Sequence, residues 1–174
     1  SSSNLTSFSN LAGSDTLSIS GTGTISTADV GTGKTVNASG LTIDNSSGVG
    51  SNYTLSAATV NVTERVIGLS GVRAFDGTNN ASSTDLSISN LVSGENLTLS
   101  GSGTVPNATV EMNKAISLGS LSISDGSGGK SSNYTLTGGS HTLDISQLSV
   151  NVTGSRQYDG CLLYTSPSPR DIPL

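Results

Sequence analysis

One stretch of this chain is written twice. Arg73-Ala74-Phe75-Asp76-Gly77 returns as Arg156-Gln157-Tyr158-Asp159-Gly160, with Asp159 lying 83 positions after Asp76. Between the copies the apolar positions recur as well. Leu17, Ile19, Gly21 and Gly23 fall on Leu97, Leu99, Gly101 and Gly103 at a shift of 80. Lys34, Val36, Leu41 and Ile43 fall on Lys114, Ile116, Leu121 and Ile123 at the same shift. Asn52-Tyr53-Thr54-Leu55 falls on Asn133-Tyr134-Thr135-Leu136 at a shift of 81. An internal period of about 80 residues governs any assignment of fold, and a unit of that length is a small domain rather than a solenoid rung.

Within each unit the pattern is that of strands. Leu17 and Ile19, Leu41 and Ile43, Val60 and Val62, and Ile67 and Leu69 alternate with Ser, Thr and Asn. Leu86 and Ile88, Leu97 and Leu99, Ile116 and Leu118, Leu121 and Ile123, and Leu148, Val150 and Val152 continue it. A period of two with β-branched residues marks strands with one buried and one wet face. Gly21-Thr22-Gly23, Ser93-Gly94, Gly101-Ser102-Gly103 and Asp125-Gly126-Ser127-Gly128-Gly129 break the strands as turns. The expectation is an all-β fold: tandem β-sandwich-like modules of about 80 residues in an elongated rod. Tyr53, Phe75, Tyr134, Leu17, Leu41, Leu97 and Leu121 are expected in the cores.

The strand after Asn-Tyr-Thr-Leu reads as the opening of the next module. That cut gives an N-terminally truncated module over 1–57, a complete one over 58–143 and the start of a third over 144–160. Residues 161–174 stand apart: they hold three of the four prolines and the only cysteine, and the alternation stops. Cys161-Leu162-Leu163-Tyr164-Thr165-Ser166-Pro167-Ser168-Pro169-Arg170-Asp171 resembles a translated sequencing adapter. The stretch is expected to be an artefactual tail that packs on nothing, and the natural protein to continue past Gly160.

Charge narrows the partners. Charged residues make up only 11% of the chain, and the net charge is −5 with Lys and Arg scattered singly. A nucleic-acid or anionic-membrane surface wants a basic patch, which is missing here. No apolar run reaches the length of a membrane-spanning helix, so no membrane insertion is expected in this segment. Without the tail the chain has no cysteine, which suits either a reducing compartment or export as an unfolded chain.

Little here suits catalysis. The single histidine, His141, reads as an exposed loop residue without a counterpart in the first repeat. One His and no cysteine outside the tail cannot build a His/Cys zinc site. No nucleophile elbow accompanies His141 and Asp144, and Glu64, Glu95 and Glu111 pair in no repeated pattern. Gly31-Thr32-Gly33-Lys34 lacks the phosphate-loop spacing. No catalytic, cofactor-binding or metal-ligating residue is therefore assigned, and no enzymatic activity is expected.

Phe75, Asp76 and Gly77, with Tyr158, Asp159 and Gly160, remain as a structural motif. The aromatic ends an apolar strand, Asp accepts from nearby backbone amides, and Gly takes the positive φ of a tight turn. A calcium loop is the competing reading, and it lacks the acidic spacing and distal Glu of known loops. Asn-x-Ser/Thr occurs ten times. Strand alternation enriches that pattern by itself, because i and i+2 share a wet face; glycosylation stays open.

The order aromatic-Asp-Gly, Leu-Ser-Gly-Ser-Gly-Thr, Lys-x-Ile/Val, Gly-x-Leu-x-Ile, Asn-Tyr-x-Leu and a Val-rich strand resembles the YDG repeats of large bacterial surface adhesins. These are filamentous-haemagglutinin-like proteins of the two-partner secretion type, and the resemblance covers nearly all of residues 1–160. Phe75 replaces the tyrosine of the name motif, so a phenolic hydroxyl is not required in every copy. The resemblance implies an extracellular or cell-surface, outer-membrane-associated location. It also implies a non-enzymatic stalk that holds a distal binding region away from the cell and contacts neighbouring repeats of the same chain. The alternative is a glycan- or matrix-protein-binding β module that acts through its inter-strand loops.

Overall fold

The computed structural model describes residue 5 and residues 7–160. The tail at 161–174 lies outside the described residues. Among the described residues strands dominate, joined by turns and three short 3₁₀ segments. The first half contains β1 (Leu17–Gly21), β2 (Thr24–Ile25), β3 (Gly31–Asn37), β4 (Leu41–Asn45) and β5 (Thr59–Val62). The middle half runs through β6 (Arg65–Val66), β7 (Gly68–Ala74), β8 (Asn80–Ser82), β9 (Leu86–Ser89), β10 (Leu97–Ser100) and β11 (Ser102–Thr104). It ends with β12 (Glu111–Ala115), β13 (Ser122–Asp125), β14 (Tyr134–Thr135) and β15 (His141–Ser146).

The repeat is visible in the pairing. In the first half β1 pairs antiparallel with β4, setting Ile19 opposite Ile43. In the middle half β10 pairs antiparallel with β13, setting Leu99 opposite Ile123. Likewise β3 pairs with β5, Lys34 opposite Val60, as β12 pairs with β15, Lys114 opposite Leu143. Both of these ladders shift register at one place, and the residue inside the shift has positive φ: Gly33 (60°) and Asn113 (55°). Asn tolerates the left-handed region better than most side chains, which lets the bulge survive the loss of glycine. Each bulge amide is held by a side chain of the partner strand, Gly33 N–H by Asn61 Oδ1 (2.7 Å) and Asn113 N–H by Asp144 Oδ1 (2.6 Å).

The middle half closes on itself. Its sheet runs β12-β15-β7-β9, so its first long strand and its last lie side by side, parallel, with Leu143 opposite Gly71. Ile67, Leu69, Leu143 and Ile145 are its largest fully buried side chains. Around them pack Ala81, Leu86, Leu97, Val105, Ile116, Leu121, Tyr134 and Leu136. Among the described residues of the first half Val36 is the one apolar side chain buried to the level of this core, and the counterparts Leu17, Leu41 and Tyr53 are half-buried.

Two expectations change. Phe75 is 39% exposed rather than core, because β7 ends at Ala74 and the aromatic stands beyond the sheet. Thr59–Val62, read from the sequence as opening the middle module, is hydrogen-bonded to β3 of the first half, and β15 covers residues on both sides of 143/144. Ile116 and Leu118 flank an isolated bridge, and residues 148–152 form no strand, leaving Val150 and Val152 80% and 94% exposed. Alternation says which face of a strand would be buried; it does not supply a partner.

Candidate functional site

The motif turn is built from its own side chains. Asp76 accepts from the Thr78 amide (2.9 Å) and from the Thr78 hydroxyl (3.0 Å), while Gly77 sits at φ 79°. Arg73 reaches along the edge of β7 to donate from NH2 to Thr78 O (2.6 Å), and its NH1 forms an ion pair with Asp76. Its Nε is buried without a hydrogen-bond partner. The Thr78 amide first, and the guanidinium second, hold the Asp76 carboxyl down to about 2. The second copy repeats the pair, with Arg156 NH2 3.0 Å from Asp159 Oδ1 and Gly160 at φ 74°. Tyr158 is 94% exposed. Phe75 and Tyr158 thus both stand at the surface, and the Asp76 carboxylate is engaged by its own turn. Among the described residues no group of three or more His, Cys, Asp or Glu side chains is placed to hold a metal ion.

His141 is half-buried at the start of β15, where a loop residue was expected, and its Nε2 lies 2.8 Å from Leu136 O. Asp144 is occupied by the bulge amide of Asn113. Glu95 and Glu111 are likewise engaged, by Tyr134 and Lys114.

Two recurring polar devices were not singled out from the sequence. The Tyr134 hydroxyl donates to Glu95 Oε2 (2.6 Å) and accepts from Val92 N–H (3.1 Å). The Tyr53 hydroxyl donates to Asp15 Oδ2 (2.7 Å) and accepts from Ala12 N–H (3.1 Å). Both anchors tie the Asn-Tyr-Thr-Leu segment back to the loop that precedes β1 or β10 of its own half. Burial and then the Glu95 bond push the Tyr134 hydroxyl up; for Tyr53 the Asp15 bond comes first. The signal was available, since Asp15 and Glu95 are both acidic and 80 positions apart. The second device is a lysine. Lys114 is 5% exposed, and its ammonium donates to Asn107 Oδ1 (2.6 Å), Glu111 Oε2 (2.9 Å) and Thr109 O (3.1 Å). Lys34 repeats the arrangement on Thr27 Oγ1 (2.9 Å) and Asp29 O (2.5 Å).

The two halves meet at a polar joint. Asp29 of the first half accepts from Lys130 Nζ (2.7 Å) and Asn133 Nδ2 (3.0 Å), and Val30 N–H donates to Asn133 Oδ1 (2.9 Å). The Asn133 and Lys130 bonds hold the Asp29 carboxyl below its usual value, and Asp29 raises Lys130.

No curated protein and no solved structure matches the chain significantly. The YDG domain family matches it twice, over residues 1–61 and 63–143. The break between the matches falls at Val62, the last residue of β5, and the next strand, β6, pairs within the middle half. With most of its length inside those two matches, the chain belongs to the YDG domain family.

Proposed function

We propose that these YDG domains are non-enzymatic spacer repeats of a secreted or surface-displayed bacterial adhesin, a filamentous-haemagglutinin-like stalk that holds a distal binding region away from the cell. The observation that carries the reading is the repetition itself. The polar side chains that recur between the halves, the Tyr–acid anchors, the lysines on their loops and the Arg–Asp turns, are engaged within their own scaffold. A chain that spends its repeated polar groups on its own backbone is built to persist and to be stacked. The joint at Asp29, Lys130 and Asn133 supplies a contact between successive modules and supports a tandem rod. Among the described residues no helix is long and apolar enough to cross a membrane.

Two measurements test this. Intact bacteria carrying the gene are labelled with antibodies against the middle module, and the purified chain is applied to glycan and matrix-protein arrays. Surface labelling without array binding is expected. Absence of label on intact cells overturns the location. Saturable binding to one class of glycan or matrix protein replaces the spacer with a binding module acting through its inter-strand loops.

A further inference from the structure

The middle half buries one charge, and it does so against an amide. Lys114 on β12 is the one charged residue buried among the described residues. Its Nζ lies 2.6 Å from Asn107 Oδ1 and 2.9 Å from Glu111 Oε2. Both partners are held by the fold. Val105, two residues before Asn107, is core and donates its amide to Asn79 O (2.9 Å), and Lys114 stands in the ladder opposite Leu143. The loop between them presents the amide to the lysine with little freedom left to lose.

The amide carbonyl is also polarised. Asn107 Oδ1 accepts from the Thr109 N–H (3.1 Å) and from the Thr109 hydroxyl, as well as from Lys114. Donors gathered on a carbonyl oxygen stabilise the negative charge it takes on when an amine adds to its carbon. The Glu111 carboxylate, bonded to the same ammonium, is a base for its proton. Nucleophile, electrophile, oxyanion donors and base thus stand within one loop. The first half lacks this set. At the shift of 80, Thr27 takes the place of Asn107 and Gly31 that of Glu111, and Lys34 is only half-buried.

We propose that Lys114 and Asn107 become joined side chain to side chain by an isopeptide bond. Glu111 takes a proton from the ammonium, and the neutral Nζ adds to Asn107 Cγ. The Cγ–Nδ2 bond then breaks as the leaving nitrogen takes that proton from Glu111. Nζ gives its second proton to the ammonia, which departs as ammonium. No electron is transferred and no co-reactant is consumed. The staple closes the loop whose first-half counterpart carries Asp29 and Val30 at the joint, since Thr109 and Val110 lie 80 positions after them. The inference goes beyond the spacer reading and does not depend on where the chain resides.

Mass spectrometry of the purified 174-residue chain tests it. An intact mass one ammonia below that of the sequence is expected. Trypsin should then leave Lys114 uncut and release residues 74–130 as one peptide, with the loss placed between Asn107 and Lys114, while Lys34 is cut. Glu111→Gln removes the proton acceptor at an exposed position, and should lower the cross-linked fraction at least about tenfold with circular dichroism unchanged. Lys114→Arg keeps the cation and removes the amine, so its mass should match its sequence in full. A wild-type chain at full mass that trypsin cuts at Lys114 overturns the proposal. So does ammonia loss that survives Lys114→Arg, or a cross-link that forms as fully with Glu111→Gln.

Discussion

Tyr134 and Glu95 stand in the same relation as Tyr53 and Asp15: a phenol on the segment after a 3₁₀ turn, bonded to a carboxylate some 40 residues earlier. The pair in the middle half is buried on the tyrosine side, and the pair in the first half is only half-buried. The same contact therefore has different worth in the two halves. Tyr134→Ala should cost about 3–5 kcal/mol as a large-to-small core change, and Tyr134→Phe about 1 kcal/mol for the hydroxyl alone. Urea unfolding of the two variants measures this. Equal midpoints for wild type and Tyr134→Ala would contradict the buried anchor.

The motif aromatic and the core separate cleanly by mutation. Leu143 is fully buried at the heart of the sheet, so Leu143→Ala should cost about 2–5 kcal/mol. Phe75 lies beyond the end of β7, and Phe75→Ala should cost well under that range. Thermal melts of both variants check the order; a larger loss for Phe75→Ala reverses it.

Asp76 makes acid sensitivity local. Its carboxyl is depressed from 3.8 to about 2 in the folded chain, so its contribution is fully present above pH 3.8 and is lost as the pH falls towards 2. Asp76→Asn keeps a turn acceptor and removes the charge. The difference in melting temperature between wild type and Asp76→Asn should be constant near neutrality and close between pH 4 and pH 2. A difference that does not change across that window would show the charge to be idle.

The joint between halves is exposed and ionic, so salt should loosen it. Asn133→Ala removes the acceptor of the Val30 amide without touching either core. Hydrogen exchange at Val30 should then accelerate while Leu69 and Leu143 stay protected. Unchanged protection at Val30 would show that another group holds the amide.

Residues 63–146 contain every member of the main core and both strands that close it. Expressed alone, this stretch should fold as all-β by circular dichroism and melt below the two-half chain, since the contact with its neighbour is lost. A stretch that is unfolded at every temperature while the longer chain folds would replace independent modules with a continuous architecture.

What the sequence determined by itself was the period and the class. Leu97 and Leu99, or Leu121 and Ile123, announce strands because side-chain direction alternates along an extended backbone, a local property. The Asp-Gly turn was legible for the same reason, since Thr78 and Gly77 sit within two residues of Asp76. Partnership is not local. Val60, Val62, Val150 and Val152 carry one pattern, yet the first two pair with β3 and the last two pair with nothing among the described residues. Phe75 lost its expected place in the core because β7 ends one residue before it, a boundary set by where β15 runs out at Ser146. The Tyr134–Glu95 bond needed the fold to bring positions 39 apart into contact. Burial of Ile67 and Leu69 required both β15 and β9 alongside, and only the tertiary structure supplies two neighbours to one strand.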